Sequence, residues 1–141
     1  MTIPNIIQVP HALFSTLNAV SAVTDLLGTF KSLPCLFTAP IVPSGAPKPY
    51  IHIRPPIGLV DIGTKNSNGW QVTEEIVIVS NENEDDKIYE IADLVLESIN
   101  RATLTLTTDT NLFTVCVGMT HAIVSDDLNG LILTFNVSIV D

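Results

Sequence analysis

Residues 126–140 read Asp126-Asp127-Leu128-Asn129-Gly130-Leu131-Ile132-Leu133-Thr134-Phe135-Asn136-Val137-Ser138-Ile139-Val140. A turn-forming run gives way to regular alternation. Asn129-Gly130 is a strong hairpin signal, because both residue types tolerate the positive φ that a tight turn between twisted strands needs. Beyond it Leu131, Leu133, Phe135, Val137 and Ile139 are apolar, while Thr134, Asn136 and Ser138 are polar. A two-residue period puts the first set inward and the second in solvent. A strand over about 131–140 with one wet face belongs to an antiparallel sheet.

The strand expected before that turn, about 112–124, carries Phe113, Val115, Val117, Met119, His121 and Ile123 at the same spacing, and the alternation assigns them to one face. Residues 102–111 alternate Thr and Leu before Asp109-Thr110-Asn111, a short strand or turn. Further back lies a helix. Asn81 or Asn83 can cap it, and Glu82, Glu84, Asp85 and Asp86 crowd its first turn. The helix dipole favours negative charge there by about 0.3–1 kcal/mol each before mutual repulsion. Ile88, Ile91, Ala92, Val95 and Ile99 form its apolar stripe, and Arg101 complements its C-terminal end. Another strand runs from Trp70 to about Val79. Trp70, Val72, Ile76 and Ile78 share one face, Gln71, Thr73 and Glu75 the other, and Glu74 breaks the pattern.

In the first half, Pro4 interrupts residues 1–9, which read as an arm, disordered or docked on a neighbour. A helix is expected over about 10–27, with Pro10 at its first position, Leu13, Leu17, Val20 and Leu27 on one face, and Gly28 at C′. Residues 29–48, with Pro34, Pro40, Pro43 and Pro47, read as a long connection. Its prolines hold φ near −65° and deliver the chain into a strand over about 49–54. Pro55-Pro56 ends the ladder pairing, and residues 57–69 read as an extended hairpin excursion. The order α-β-β-α-β-β makes one α+β domain over 1–141. It is a mainly antiparallel four-stranded sheet with two helices packed on one face.

Composition narrows the function. The 141 residues are 46% apolar and only 15% charged, against about 25% charged in typical domains. Residues 12–27 carry too many polar side chains for a membrane span, so extensive subunit contact is the expected use of the apolar excess. The N-terminus has no basic n-region and is not read as a signal peptide. A net charge of −9, with Lys31, Lys48, Arg54, Lys65, Lys87 and Arg101 scattered, argues against holding nucleic acid, which requires clustered cations. Cys35 and Cys116 are too few for a disulfide scaffold and read as reduced thiols.

No catalytic chemistry is expected. His11, His52 and His121 lie in separate elements without metal-ligand spacing, and Gly-rich phosphate loops and nucleophile elbows are absent. Pairing Cys35 with His52, or Cys116 with His121, has no support in the spacing. The acids of 82–86 lack the order of a calcium loop and fit a helix start better. No catalytic, cofactor or metal residue is assigned. His52 reads as a surface or interface residue alternating with Tyr50 and Arg54, and His121 as a hydrogen-bonded residue at the core edge. Trp70 fits a core position and an interface anchor equally well. The candidate interface set is Pro47, Pro49, Tyr50, His52, Arg54 and Trp70.

Several local patterns carry a family resemblance. Residues 13–28 open with Leu13-Phe14-Ser15-Thr16-Leu17-Asn18-Ala19 and close in Leu26-Leu27-Gly28. Gly45-Ala46-Pro47-Lys48-Pro49-Tyr50-Ile51 leads into a strand, Ile88-Tyr89-Glu90-Ile91-Ala92-Asp93-Leu94-Val95 forms a helix, and an Asp-x-x-Gly hairpin follows. In this order, over roughly 10–141, they resemble the tail-terminator, or tail-completion, family of long-tailed bacteriophages, which includes tail-to-head joining proteins. Two departures stand out. The family's Arg near the final hairpin is missing from residues 126–130, and the 29–41 loop is longer and richer in proline.

The resemblance implies a virion structural protein forming a ring, usually a hexamer, at the tail–neck junction after assembly in the host cytoplasm. Such a ring caps the tail tube, stops its polymerisation and presents a surface to the neck or head-completion protein. DNA would pass through its lumen without specific binding. Residues 29–48 and 55–69 are the loops expected at ring or tube contacts. The alternatives are another neck component, such as a head–tail connector or minor tail protein, and a small enzyme or ligand-binding α+β domain.

Overall fold

The computed structural model describes residues 5–38, 40–63, 69–81, 85–106, 110–125 and 128–140. Its helices are α1 (Gln8–Asn18), α2 (Ser21–Thr24) and α3 (Asp85–Ile99). Its strands are β1 (Thr29–Phe30), β2 (Leu33–Pro34), β3 (Leu36–Phe37), β4 (Tyr50–Ile53), β5 (Gly58–Asp61), β6 (Gly69–Asn81), β7 (Thr110–Ser125) and β8 (Leu128–Val140). The fold is α+β, but the sheet is larger and more mixed than alternation alone implied. It has six strands in the order β3-β4-β6-β8-β7, with β5 also paired to β6, and β3 runs parallel to β4.

The centre is a long antiparallel ribbon. β6 and β8 pair without a break from Gly69↔Val140 to Asn81↔Leu128. The expected inward set of β8, together with Val72, Ile76 and Ile78 of β6, is buried on the face covered by helices. There α3 contributes Ile88, Ile91, Val95 and Ile99, all fully buried, and lies across β6 and β8, while α1 packs on β3 and β4. Each such side chain contributes about 1.5–3 kcal/mol by leaving water. Among the described residues no helix is long and apolar enough to cross a membrane.

The first helix is broken. Val20 sits in extended geometry (φ −96°, ψ 99°) between α1 and α2, which re-aims the following turn so that Val23 and Leu27 still reach the core. α1 also starts at Gln8, with Val9 fully buried, so residues 8 and 9 are helix and core rather than arm. Residues 1–4 lie outside the described residues. Gly28 is needed for a different reason from a left-handed cap. Its N–H donates to the Pro49 carbonyl at 2.9 Å, and a Cβ there would come within 2.9 Å of the Pro47 Cβ.

The 29–48 connection contains a hairpin and a strand. β1 and β2 pair through a two-residue turn in which both Lys31 (φ 49°) and Ser32 (φ 68°) are left-handed. Such turns favour Asn or Gly at those positions, so Lys-Ser conceals this one. The 57–69 excursion likewise holds β5, paired with residues 70–73 of β6. Pro55-Pro56 interrupts the ladder only briefly: Arg54 N–H donates to the Glu75 carbonyl, and Ile57 N–H to that of Thr73. The prolines, lacking N–H, occupy the gap.

β7 departs furthest from simple alternation. Its register with β8 shifts by one residue between Asn111 and Phe113, between Cys116 and Gly118, and between Ile123 and Ser125. Each extra residue inverts the sides that follow. Val115 therefore stands opposite Asn136 of the solvated set, whereas Met119 and His121 stand opposite buried Leu133 and Leu131. The single face expected for 113–123 is thus two faces. The side chains of Phe113 and Ile123 lie outside the described residues, as does Asn83, one expected helix cap; Asn81, the other, is instead the last residue of β6, paired with Leu128.

The 102–106 segment crosses the end of the sheet without regular structure. Leu104 N–H donates to Asn111 Oδ1 at 2.6 Å, and Asn111 Nδ2 donates to the Ser138 carbonyl at 2.9 Å. Arg101 is left-handed (φ 65°) and ends α3 through its backbone, its N–H donating to the Thr114 carbonyl. α3 has no basic residue in its last turn.

Candidate functional site

Three of the candidate interface residues follow from the geometry of β4. Ile51 and Ile53 point into the core, so Tyr50, His52 and Arg54 project from the helix-free side of the sheet. Tyr50 is half-buried and meets the Phe37 ring edge-on at 6.1 Å, and Phe37 meets Phe30 at 6.4 Å. Burial pushes the Tyr50 hydroxyl pKa up. His52 is half-buried opposite Val77. Arg54 Nη1 donates to Glu75 Oε1 at 3.1 Å, a pair exposed enough to contribute less than about 1 kcal/mol. Beyond it Thr73 Oγ1 donates to Asn136 Oδ1 at 3.3 Å.

Pro47 and Pro49 bring the chain to this strand. Pro47 is exposed and seats on Gly28, while Pro49 is buried behind a cis Lys48–Pro49 peptide. A depression of about 210 Å³ lies along this approach, lined by Val42, Pro43, Gly45, Ala46, Lys48 and Tyr50. The structure thus brings Pro47, Pro49, Tyr50, His52 and Arg54 together along one margin. It places Trp70 elsewhere. That indole is buried on the helix side at the far end of β6, and its Nε1 has no hydrogen-bond partner among the described residues.

Glu74, which broke the alternation of its strand, is also on the helix side. It is 0% exposed, stands opposite Phe135, and neither carboxylate oxygen has a partner among the described residues. Burial, reinforced by neighbouring Glu75, pushes its pKa up to about 8. The carboxyl is therefore protonated at neutral pH, which removes the charge but leaves an unsatisfied polar group in the core.

Two apolar areas had no clear sequence signal. The first is a groove of about 230 Å³ between α1 and the β1–β2 hairpin, lined by Phe14, Phe30, Leu33, Pro34, Leu36 and Phe37, with Asn18 and Lys31 at its rim. The second is on the opposite margin of the sheet, where Val117, Met119 and Tyr89 are exposed. The groove depends on the hidden turn at Lys31-Ser32, and the second area on an invisible bulge. His121, expected at the core edge, is exposed there with its ring 6.4 Å from that of Tyr89.

Neither concavity reaches the roughly 300 Å³ at which small-molecule pockets begin. Among the described residues no three His, Cys, Asp or Glu side chains converge as a metal site would require. Cys35 is buried, which pushes its thiol pKa up and works against thiolate chemistry. What the molecule offers is apolar and aromatic surface at the margins of a sheet, an arrangement suited to protein contact.

A family model described as tail completion protein gp17 matches residues 11–136. Among solved structures, a chain from the virion of native gene transfer agent (GTA) particle matches with a TM-score of 0.81 at 18% sequence identity. The match covers 95% of this chain and 96% of that one. At that identity the likeness is one of fold. Comparison with curated proteins returned no match.

Proposed function

The chain belongs to the family of tail completion protein gp17, and from that premise we propose that it is a virion structural protein that terminates the tail. Copies assemble into a ring, most simply a hexamer, that caps the finished tube, blocks further addition of tube subunits and offers its other side to the neck or head-completion protein. The observation that carries this reading is the family match across residues 11–136. Exposed apolar side chains on opposite margins of one sheet support it, because a head-to-tail contact between unlike patches closes into a ring when its rotation permits.

Pro47, Pro49, Tyr50, His52 and Arg54 are assigned to contacts of this assembly, and Trp70 to the core at the far end of β6. The net charge of −9 would let DNA pass through the ring without being held. No catalysis, cofactor or metal enters the role.

Electron microscopy of particles made without this protein tests the reading. Overlong tubes without heads are expected. Tails of normal length would overturn it, and normal tails beside unattached heads would indicate a connector instead.

A further inference from the structure

From the position of the two apolar areas, we infer that the Val117–Met119–Tyr89 surface of one subunit docks into the Phe30–Leu33–Phe37 groove of the next. This rests on the ring reading and names the contact that would close it.

The two areas lie at one level of the sheet. Two rows of paired residues cross the entire sheet. Leu36, Ile51, Ile78, Leu131 and His121 form one, and Phe37, His52, Val77, Ile132 and Thr120 the other. The groove margin at Leu36 and Phe37 therefore lies at the height of Thr120 and His121 on the opposite margin. Copies in a closed ring are related by rotation without a rise. Two patches at one height meet under such a rotation when the strands run along the ring axis. The strand directions also agree. β3 is parallel to β4, and successive antiparallel steps through β6 and β8 leave β7 antiparallel to it. Along the sheet β7 thus has the opposite sense to β3, the sense an added antiparallel strand requires once the rotation between subunits matches the sheet's twist.

Among the described residues, part of the outer β7 margin carries no paired strand. The outer margin of β7 is covered at residues 114–116, where the Thr114 carbonyl accepts from Arg101 N–H and Cys116 N–H donates to Asn100 Oδ1 at 2.8 Å. This cover ends where the bulge at residue 117 begins. Val117, Met119, Thr120 and His121 are then exposed in succession. A neighbouring chain can add to this short length of margin.

Charge also distinguishes the two areas. Exposed Asp86, one helical turn before Tyr89, and Glu90, next to it, lead an acidic stripe on α3 continued by Asp93 and Glu97. The groove has one charged residue at its rim, Lys31. Acids beside the apolar knob are thus offered a lysine beside the apolar groove, which favours this polarity of contact.

The test uses complementation. Met119→Asp spoils the knob and Leu33→Asp spoils the groove. These positions are 48% and 67% exposed, so both variants should fold, as circular dichroism would check. The wild-type chain is expected to sediment as a ring and each variant alone as a monomer. An equimolar mixture should give a one-to-one dimer and nothing larger, because only one good knob and one good groove remain to meet. Wild-type rings together with rings of either variant, or a mixture that stays monomeric, would overturn this contact and leave the ring reading standing. A wild-type chain that stays monomeric at every concentration would overturn both.

Discussion

The β6–β8 ribbon and the 29–61 segment build the same sheet in opposite ways. The ribbon pairs every residue from 69 to 81 in one register, and its inward side chains are almost all fully buried. The 29–61 segment contributes strands of two or four residues, separated by prolines and turns, each held by what it leans on. One region specifies itself through repetition. The other depends on a few close approaches, such as Gly28 against Pro47 and Phe37 between Phe30 and Tyr50. The ribbon carries the long continuous pairing, and the short pieces carry the aromatic groove and the Tyr50–Arg54 margin.

Truncating an aromatic in each region measures the difference most directly. Phe135→Ala in the ribbon removes a fully buried ring and should cost about 3–5 kcal/mol in denaturant unfolding. Phe37→Ala, at a half-buried position in the segment, should cost about 1 kcal/mol, the scale of an aromatic pair contact. Equal losses would show that the short strands carry as much of the fold as the ribbon.

Glu74 is the flaw in the ribbon. Because its folded pKa lies near 8, above the ordinary 4.5, the stability tied to its proton is fully present below about pH 4.5 and is lost as pH rises to about 8. Each pH unit across that window costs about 1.4 kcal/mol. Glu74→Met, of similar length and apolar, should remove this slope and add about 1–3 kcal/mol even where the acid is neutral. Parallel pH dependence in the two proteins would refute the assignment.

The smallest expected effect lies in the hidden turn. Replacing Lys31-Ser32 with Asn-Gly supplies residues suited to two left-handed positions, and should raise stability by roughly 0.5–1 kcal/mol, visible as a modest increase in Tm. A fall in Tm would mean that the Lys31 side chain contributes more than the turn geometry does.

This contrast also explains what could be read from the chain before folding. β6, β8 and α3 were legible because their periods persist long enough to outweigh one exception such as Glu74. β8 nonetheless begins at Leu128, so Asn129-Gly130, expected in the turn, lies inside the strand opposite Ile123 and Ala122. The 47–54 margin was legible through its prolines. The β1–β2 hairpin was not, since its turn lacks Asn and Gly, and β3 is too short to show any period. β5 follows two prolines that normally end a strand. In β7 the alternation was real, but a bulge adds one residue without any mark in composition, so the same letters serve two faces. The exposed knob of Val117 and Met119 arises from that concealed shift, and the groove from the concealed turn. The candidate site was therefore visible where residues stiffen the backbone and invisible where backbone geometry redirects side chains.

The cover that Asn100 and Arg101 place over one half of the β7 margin bears on the life of the unassembled subunit. A bare, flat margin of sixteen residues would be a template for fibre growth, which needs uninterrupted segments of about six or seven residues. With residues 114–116 occupied and bulges twisting the remainder, only a short ledge is left. At the other margin β3 offers two residues. On the proposed contact, a subunit made in excess is expected to stay dissolved rather than gel, because its sheet offers a shaped neighbour a seat but any passing strand little length to pair with.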